Sequence, residues 1–368
     1  MRVLMVNRND MHAAPGGDTV QMHQTALELR NIGVVVETST LDGIPPLRQF
    51  DLVHIFNWET FESFFNRKAE DFSGAPPLVL SPIFWFHSGH WYDAAVSTTR
   101  GWAFLDRALG RPKGRSMYEW WQGAKMRWGS RGKKMRRLLS VAAHLLPNSC
   151  TEHEHMRSVF GIREDMQARS TIVPNGVIRR LFDPLPHPSK DFMNEYGIRS
   201  FVLQVGRIQS AKNQLGLIEA LYDTDLPLVF VGQFSAYEIE YAERCQRLAR
   251  QRGNVHFVPP KAAEELAGIY TLAAVHVLPS WRETPGLVSL EAAAAGCRIV
   301  STRNGSAAEY FGSEAWYCDP RDPDSIRRAV LEALNSPPSD RLRNKVLSCY
   351  TWEAAAQKTL EAYNKALL

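Results

Sequence analysis

Two carboxylates in the second half of the chain stand where phosphate and sugar chemistry could be done. The run Arg282-Glu283-Thr284-Pro285-Gly286-Leu287-Val288-Ser289-Leu290-Glu291-Ala292 follows an apolar, strand-like stretch, Val275–Leu278. Thr284 is a good helix N-cap and Pro285 suits the first helical position, so a helix is expected through Glu291 to about Ala295, ended by Gly296. Pro285, Gly286 and Leu287 then form the helix mouth, where free N–H groups and the macrodipole attract a phosphate. Gly286 lets a ligand approach the backbone closely. Glu291, inside the helix, can accept paired hydroxyls of the kind a ribose offers. Glu283, in the loop, can hold a sugar hydroxyl near the phosphate. An amphipathic helix with ordinary exposed acids is the alternative reading of the same residues.

A second run, Val205-Gly206-Arg207-Ile208-Gln209-Ser210-Ala211-Lys212-Asn213-Gln214, places two cations in the loop after the strand-like stretch Phe201–Val205. Two surface cations in a loop would look the same. Near the start, Ala14-Pro15-Gly16-Gly17-Asp18-Thr19-Val20 lies between a strand and a helical pattern. Gly16 and Gly17 permit close backbone approach, but they do not make the three-glycine dinucleotide fingerprint, which argues against a dehydrogenase. A plain loop with a flexible tip is the other reading.

These loops need elements to carry them. Strand-like runs recur at Val3–Val6, Val34–Thr38, Leu52–Phe56, Leu78–Ser81, His144–Pro147 and Thr171–Val173. They resume at Phe201–Val205, Leu228–Val231, Val255–Phe257, Val275–Leu278, Ile299–Ser301 and Trp316–Cys318. Helical patterns separate them, and continuous Val/Leu/Ile runs suit strands buried on both faces of parallel sheets. The pattern restarts near residue 200, after the proline-rich stretch Phe182-Asp183-Pro184-Leu185-Pro186-His187-Pro188-Ser189, which suits a linker. The expected fold is α/β, with two doubly wound, Rossmann-like domains, 1–190 and 191–350. A helix over 351–368, capped by Thr351, is expected to pack back toward the first. Ligands bind beyond the carboxyl ends of such strands, so two facing domains would enclose a cleft there.

The run from Glu283 to Glu291, with its intervening Gly286 and an Ala-rich helix ended by Gly296, resembles glycosyltransferase family 4. Cys297-Arg298-Ile299-Val300-Ser301-Thr302 and Asn304-Gly305-Ser306-Ala307-Ala308-Glu309-Tyr310-Phe311 extend the likeness, as do Gly206-Arg207, Lys212-Asn213 and Pro174-Asn175-Gly176-Val177. The last of these reads as a turn in which Asn-Gly accepts positive φ. The resemblance implies a GT-B fold and retaining transfer from a nucleoside-diphosphate sugar. By similarity, Glu283 contacts the donor sugar and Glu291 the ribose. Arg207 and Lys212 grip the diphosphate, which makes Glu283, Arg207 and Lys212 the catalytic set. Gly206, Pro285, Gly286, Leu287, Gly16 and Gly17 complete the donor site, and Asp18 is a possible acceptor or sugar contact. The family often has a histidine after the strand that is here Leu78–Ser81. That position is Ile83; His87 or His90 in the following loop is either a substitute acceptor or sugar contact or an ordinary loop histidine, and no catalytic base is assigned.

The remaining features bound the function. The 368 residues carry a net charge of only +4, with five scattered cysteines that form no close pair, which fits a reducing cytoplasm and no zinc site. Met1–Asn7 reads as a buried strand and not as a secretory leader, and no apolar run is long enough to span a bilayer. No Asp-x-Asp follows a strand where a divalent metal would be expected, so neither a metal nor a cofactor is expected. From Arg107 to Arg137 there are eleven Lys or Arg and one acid, Glu119, interleaved with Tyr118, Trp120, Trp121 and Trp128. This segment is either a solvated helical face or one lying on an anionic membrane, and no nucleic-acid motif accompanies it. The partners expected are therefore a nucleotide sugar and a glycan or lipid-linked acceptor of cell-surface polysaccharide synthesis, at a cytoplasmic or peripheral inner-membrane location. A sugar-phosphate synthase, a nucleotide-sugar epimerase and a catalytically silent glycan-binding protein are the rival readings.

Overall fold

Short β-branched runs flanked by helices form two all-parallel sheets. The structure is a computed structural model that describes residues 1–68, 75–85, 92, 95–96, 99–161 and 168–368. In the first unit, strands β1 (Arg2–Asn7), β2 (Val35–Thr40), β3 (Leu52–Phe56), β4 (Leu78–Ser81) and β5 (His144–Leu145) pair in the order β2-β1-β3-β4-β5. In the second, β6 (Val202–Val205), β7 (Leu228–Val231), β8 (Val255–Val258), β9 (Val275–Leu278), β10 (Arg298–Thr302) and β11 (Trp316–Cys318) pair as β11-β10-β9-β6-β7-β8. The fold class is thus the expected one of two doubly wound α/β units.

Strand alternation explains why the second sheet is buried on both faces. Val202, Leu228, Phe230, Val275, Val277 and Val300 pack against the helices Gln214–Ala220, Ile239–Arg252 and Pro323–Asn335. Their neighbours Leu203, Val205, Val229, Val231 and Ile299 pack against Ala263–Tyr270, Leu287–Ala294 and Arg341–Cys349. Successive side chains point to opposite faces, so a continuous apolar run satisfies both layers.

Thr171–Val173, expected as a strand, is not a regular one. Its amides reach Leu145 O and Pro147 O at 2.9 Å each, but Pro147 and Pro174 lack the N–H that would continue the ladder.

The chain divides at Pro174, not near residue 190. The first unit comprises Met1–Pro174 and Ala355–Leu368, the second Asn175–Ala354. The proline-rich stretch belongs to the second unit because Phe182 is buried with Phe192 and Phe201 in its core. The expected Asn-Gly turn is replaced by a clasp. Val177 N donates to Tyr350 O at 2.9 Å, and Trp352 N to Val177 O at 3.3 Å. Gly176 lies so close to the Thr351 backbone that any Cβ would overlap it, and its φ is not positive. Glycine is required there for approach, not for conformation.

The final helix, Trp352–Ala366, ties into the first unit through Tyr363, whose hydroxyl lies 2.7 Å from Nδ1 of the buried His54. Among the described residues, no helix is long and apolar enough to cross a membrane.

Candidate active site

In the second sheet the winding direction reverses between β6 and β9, which are neighbours. A crevice opens beyond the carboxyl ends of strands at such a switch point. The two loops singled out by sequence leave these two strands: Gly206 to Asn213 follows β6, and Pro279 to Gly286 follows β9.

The β6 loop is fixed along its backbone. Ser210–Lys212 forms a single 3₁₀ turn, and Asn213, at φ 57°, starts the helix Gln214–Ala220. Asn213 Nδ2 donates to Pro279 O at 3.2 Å and to Pro320 O at 2.9 Å. Gln204 Nε2 donates to Lys212 O at 2.7 Å. Trp281 N donates to Ala211 O at 3.1 Å, which locks this loop to the β9 loop. Arg207 stands in the same loop, where its carbonyl accepts from Gln214 Nε2 at 2.9 Å.

These restraints carry Lys212 to Glu283. Nζ of Lys212 lies 2.5 Å from Oε1 of Glu283, with side-chain exposures of 27% and 6% respectively. The Glu283 backbone is itself held, N to Asn304 O at 3.0 Å and O to Ser306 N at 2.9 Å. A charge-assisted bond on a pinned backbone is a preorganised group, with little left to reorganise when a ligand arrives.

The helix beyond starts later than expected. It runs Leu287–Ala294 with Gly286 as N-cap, while Thr284 and Pro285 stay in the loop. Gly286 takes φ +87°, a conformation that side chains resist, and an added Cβ would sit 2.9 Å from Leu278 Cδ2 and 3.2 Å from Glu283 Oε2. The Glu283 carboxylate therefore lies against the helix mouth, where unshared backbone amides concentrate positive charge.

Glu291 lies one turn further in. Its Oε2 accepts from the Tyr270 hydroxyl at 3.0 Å. Burial pushes its carboxyl up to about 7, partly countered by that hydrogen bond. Gly206, Arg207, Lys212, Glu283, Pro285, Gly286, Leu287 and Glu291 thus all lie in the loops after β6 and β9 or in the helix that follows.

Two residues escaped the sequence reading. His276, fully buried on β9, has Nδ1 3.4 Å from Ser289 Oγ, and burial, aided by the Lys212 charge, lowers it to about 3, so it is neutral. A histidine inside the apolar run Val275–Leu278 was the available signal. Arg282 is largely desolvated, and burial lowers its guanidinium to about 10. It opens the first motif run, but no role was given to it there.

Gly16, Gly17 and Asp18 belong to the first unit, after β1. Gly16 caps the helix Gly17–Asn31. The Asp18 carboxylate, buried, is taken by Arg8, with Nε 2.8 Å from Oδ2, so it anchors the glycine loop. His87 and His90 lie outside the described residues.

Residues 189–346 match the family model of glycosyl transferases group 1. The matched segment carries all six strands of the second sheet. A D-inositol 3-phosphate glycosyltransferase of Pseudarthrobacter chlorophenolicus is 30% identical over 248 residues, 63% of this chain and 58% of that protein. The chain therefore matches little more than half the length of this curated relative.

Solved structures share the whole fold. Sucrose-phosphate synthase of Thermosynechococcus elongatus superposes with a TM-score of 0.72 over 99% of this chain and 98% of that one, at 19% identity. The Anabaena protein HepE, in complex with UDP-glucose, gives 0.63 over 100% and 98%, at 15% identity. The fold is that of the two-domain GT-B glycosyltransferases.

Proposed function

We propose that the chain is a retaining glycosyltransferase that moves a sugar from a nucleoside-diphosphate donor to an acceptor hydroxyl. The observation that carries this reading is the Lys212–Glu283 pair, set against the mouth of the helix Leu287–Ala294 at the switch point of the second sheet. Cation and helix mouth suit a diphosphate, and the adjoining carboxylate suits a sugar hydroxyl. Glu291 takes the ribose, and Arg207 adds a second cation to the diphosphate. Gly206, with nothing within 4 Å of where a Cβ would stand, leaves room for the ligand beside the backbone, and Gly286 and Leu287 offer the helix mouth.

Transfer then proceeds on one face of the sugar. The acceptor oxygen bonds to the anomeric carbon as the bond to the diphosphate breaks, and the departing phosphate oxygen takes the acceptor proton. This route requires stabilisation of the leaving diphosphate more than a protein nucleophile. Lys212, Arg207 and the helix amides supply that stabilisation, and we assign no step to a metal ion. The acceptor is proposed to be a glycan or a lipid-linked glycan of a cell-surface polysaccharide.

Incubation with a panel of nucleotide sugars, without acceptor, tests the donor chemistry. Slow release of free sugar and nucleoside diphosphate from at least one donor, unaffected by chelator, is the expected result. Neither hydrolysis nor a rise in melting temperature with any nucleoside diphosphate would remove the reading, since a ligand that favours the folded state must stabilise it.

A further inference from the structure

The basic aromatic segment forms a patterned surface. It folds as the helices Arg100–Leu109, Arg111–Trp128 and Ser130–Val141. On the middle helix, Gly114, Tyr118 and Met126 are buried. The opposite stripe, Lys113, Met117, Trp120, Ala124 and Arg127, recurs at the spacing of one helical face. Trp120 is 69% exposed and Trp128 63%, with Phe104 on the preceding helix at 69%. Trp120, Ala124, Arg127 and Trp128 also line, with Ser158 and Val159, a notch of about 240 Å³. Among the described residues 100–141 every fully exposed charged side chain is Lys or Arg; Asp106 and Glu119 are half-buried.

We propose that this face docks on an anionic lipid bilayer, with Trp120 and Trp128 in the interfacial zone and the surrounding cations over acidic head groups. Large indole rings left in water are a cost, and the membrane–water boundary relieves it while keeping the ring N–H wet. Cations that flank such rings gain from an anionic surface over about one Debye length. A second copy of this chain is disfavoured as the occupant, because two faces of the same positive charge repel. Nucleic acid would satisfy the charge, but the stripe runs Met117, Trp120, Ala124 along a convex helix and is not a flat stacking platform.

The docking face stands on its own chemistry, so its failure leaves the donor-site reading untouched. The test is flotation of the full chain with phosphatidylcholine vesicles, with and without phosphatidylglycerol, at low and high salt. Binding is expected only with the anionic lipid, and it should fade as salt rises. Trp120→Ser with Trp128→Ser should lower partitioning about tenfold or more, and Lys113→Glu with Arg127→Glu should do the same. Both pairs are exposed, so the melting temperature and donor hydrolysis should not change. Absence of flotation at low salt overturns the proposal. So does unchanged flotation of the tryptophan variant, or binding to a homopolymeric RNA in place of vesicles.

Discussion

Nζ of Lys212 and Oε1 of Glu283 lie 2.5 Å apart, although 71 positions separate the two residues along the chain. The pair joins the loops after β6 and β9, the two strands at which the second sheet reverses its winding. With Glu283 almost buried, the contact neutralises a carboxylate that has little access to water. It also holds a cation and an anion where a diphosphate and a sugar would each need the opposite or a polar partner.

The two roles separate in a double-mutant cycle. Lys212→Ala leaves the Glu283 carboxylate unpaired, and the expected cost is about 1–3 kcal/mol of stability, measured by urea unfolding. Adding Glu283→Gln removes the stranded charge and should restore most of that loss. Turnover should fall by roughly 10² to 10³ in Lys212→Ala, as for loss of a transition-state charge stabiliser, and should not return in the double variant. Additive stability losses would show that the pair is not coupled; wild-type turnover would remove Lys212 from the catalytic assignment.

Glu291 gives a prediction with a definite sign. Burial raises its carboxyl from 4.5 to about 7 in the folded chain. The folded state then holds the proton more tightly than the unfolded one. Its favourable contribution is complete below about pH 4.5 and is lost as pH rises through about 7. Glu291→Gln lacks this loss. The variant should therefore be more stable than the parent by about 1–3 kcal/mol near pH 8, with the difference shrinking toward pH 4.5. The same substitution should weaken nucleoside-diphosphate binding, measured by calorimetry. A variant no more stable at high pH would show that the carboxylate is not strained by burial, and unchanged affinity would take the ribose role from it.

Much of this arrangement was legible in the sequence. The strands were plain because continuous runs such as Leu52–Phe56 and Leu228–Val231 fill both faces of a sheet. The β6 and β9 loops were legible because their motifs follow those strands directly. The helix start was misplaced by two residues because propensity favours Thr284 as the cap, whereas the structure turns at Gly286 through a φ that only glycine adopts easily. The unit boundary was misplaced because proline density suggested a linker, while Phe182 anchors that stretch in a core. The Tyr270–Glu291 bond spans 21 positions and belongs to no motif, so no spacing rule could reveal it.

His54 and Tyr363 test how the last helix is held. His54 is buried on β3, with Nδ1 2.7 Å from the Tyr363 hydroxyl and Nε2 2.9 Å from Ser81 Oγ. Burial lowers the imidazole to about 3, so the folded chain keeps it neutral while an unfolded chain would protonate it near 6.5. Stability tied to this group is complete above about pH 6.5 and is lost as pH falls toward 3, by up to about 1.4 kcal/mol per pH unit. Tyr363→Phe removes one partner from a ring that cannot reach water. Its expected cost is about 1–3 kcal/mol at neutral pH, read from urea unfolding. Proteolysis should then release the segment after residue 354 faster than in the parent, because the Tyr363 hydroxyl ties this helix to His54. Unfolding and proteolysis unchanged in Tyr363→Phe would mean that packing alone fixes the helix, and that the hydrogen bond to His54 merely satisfies a buried ring.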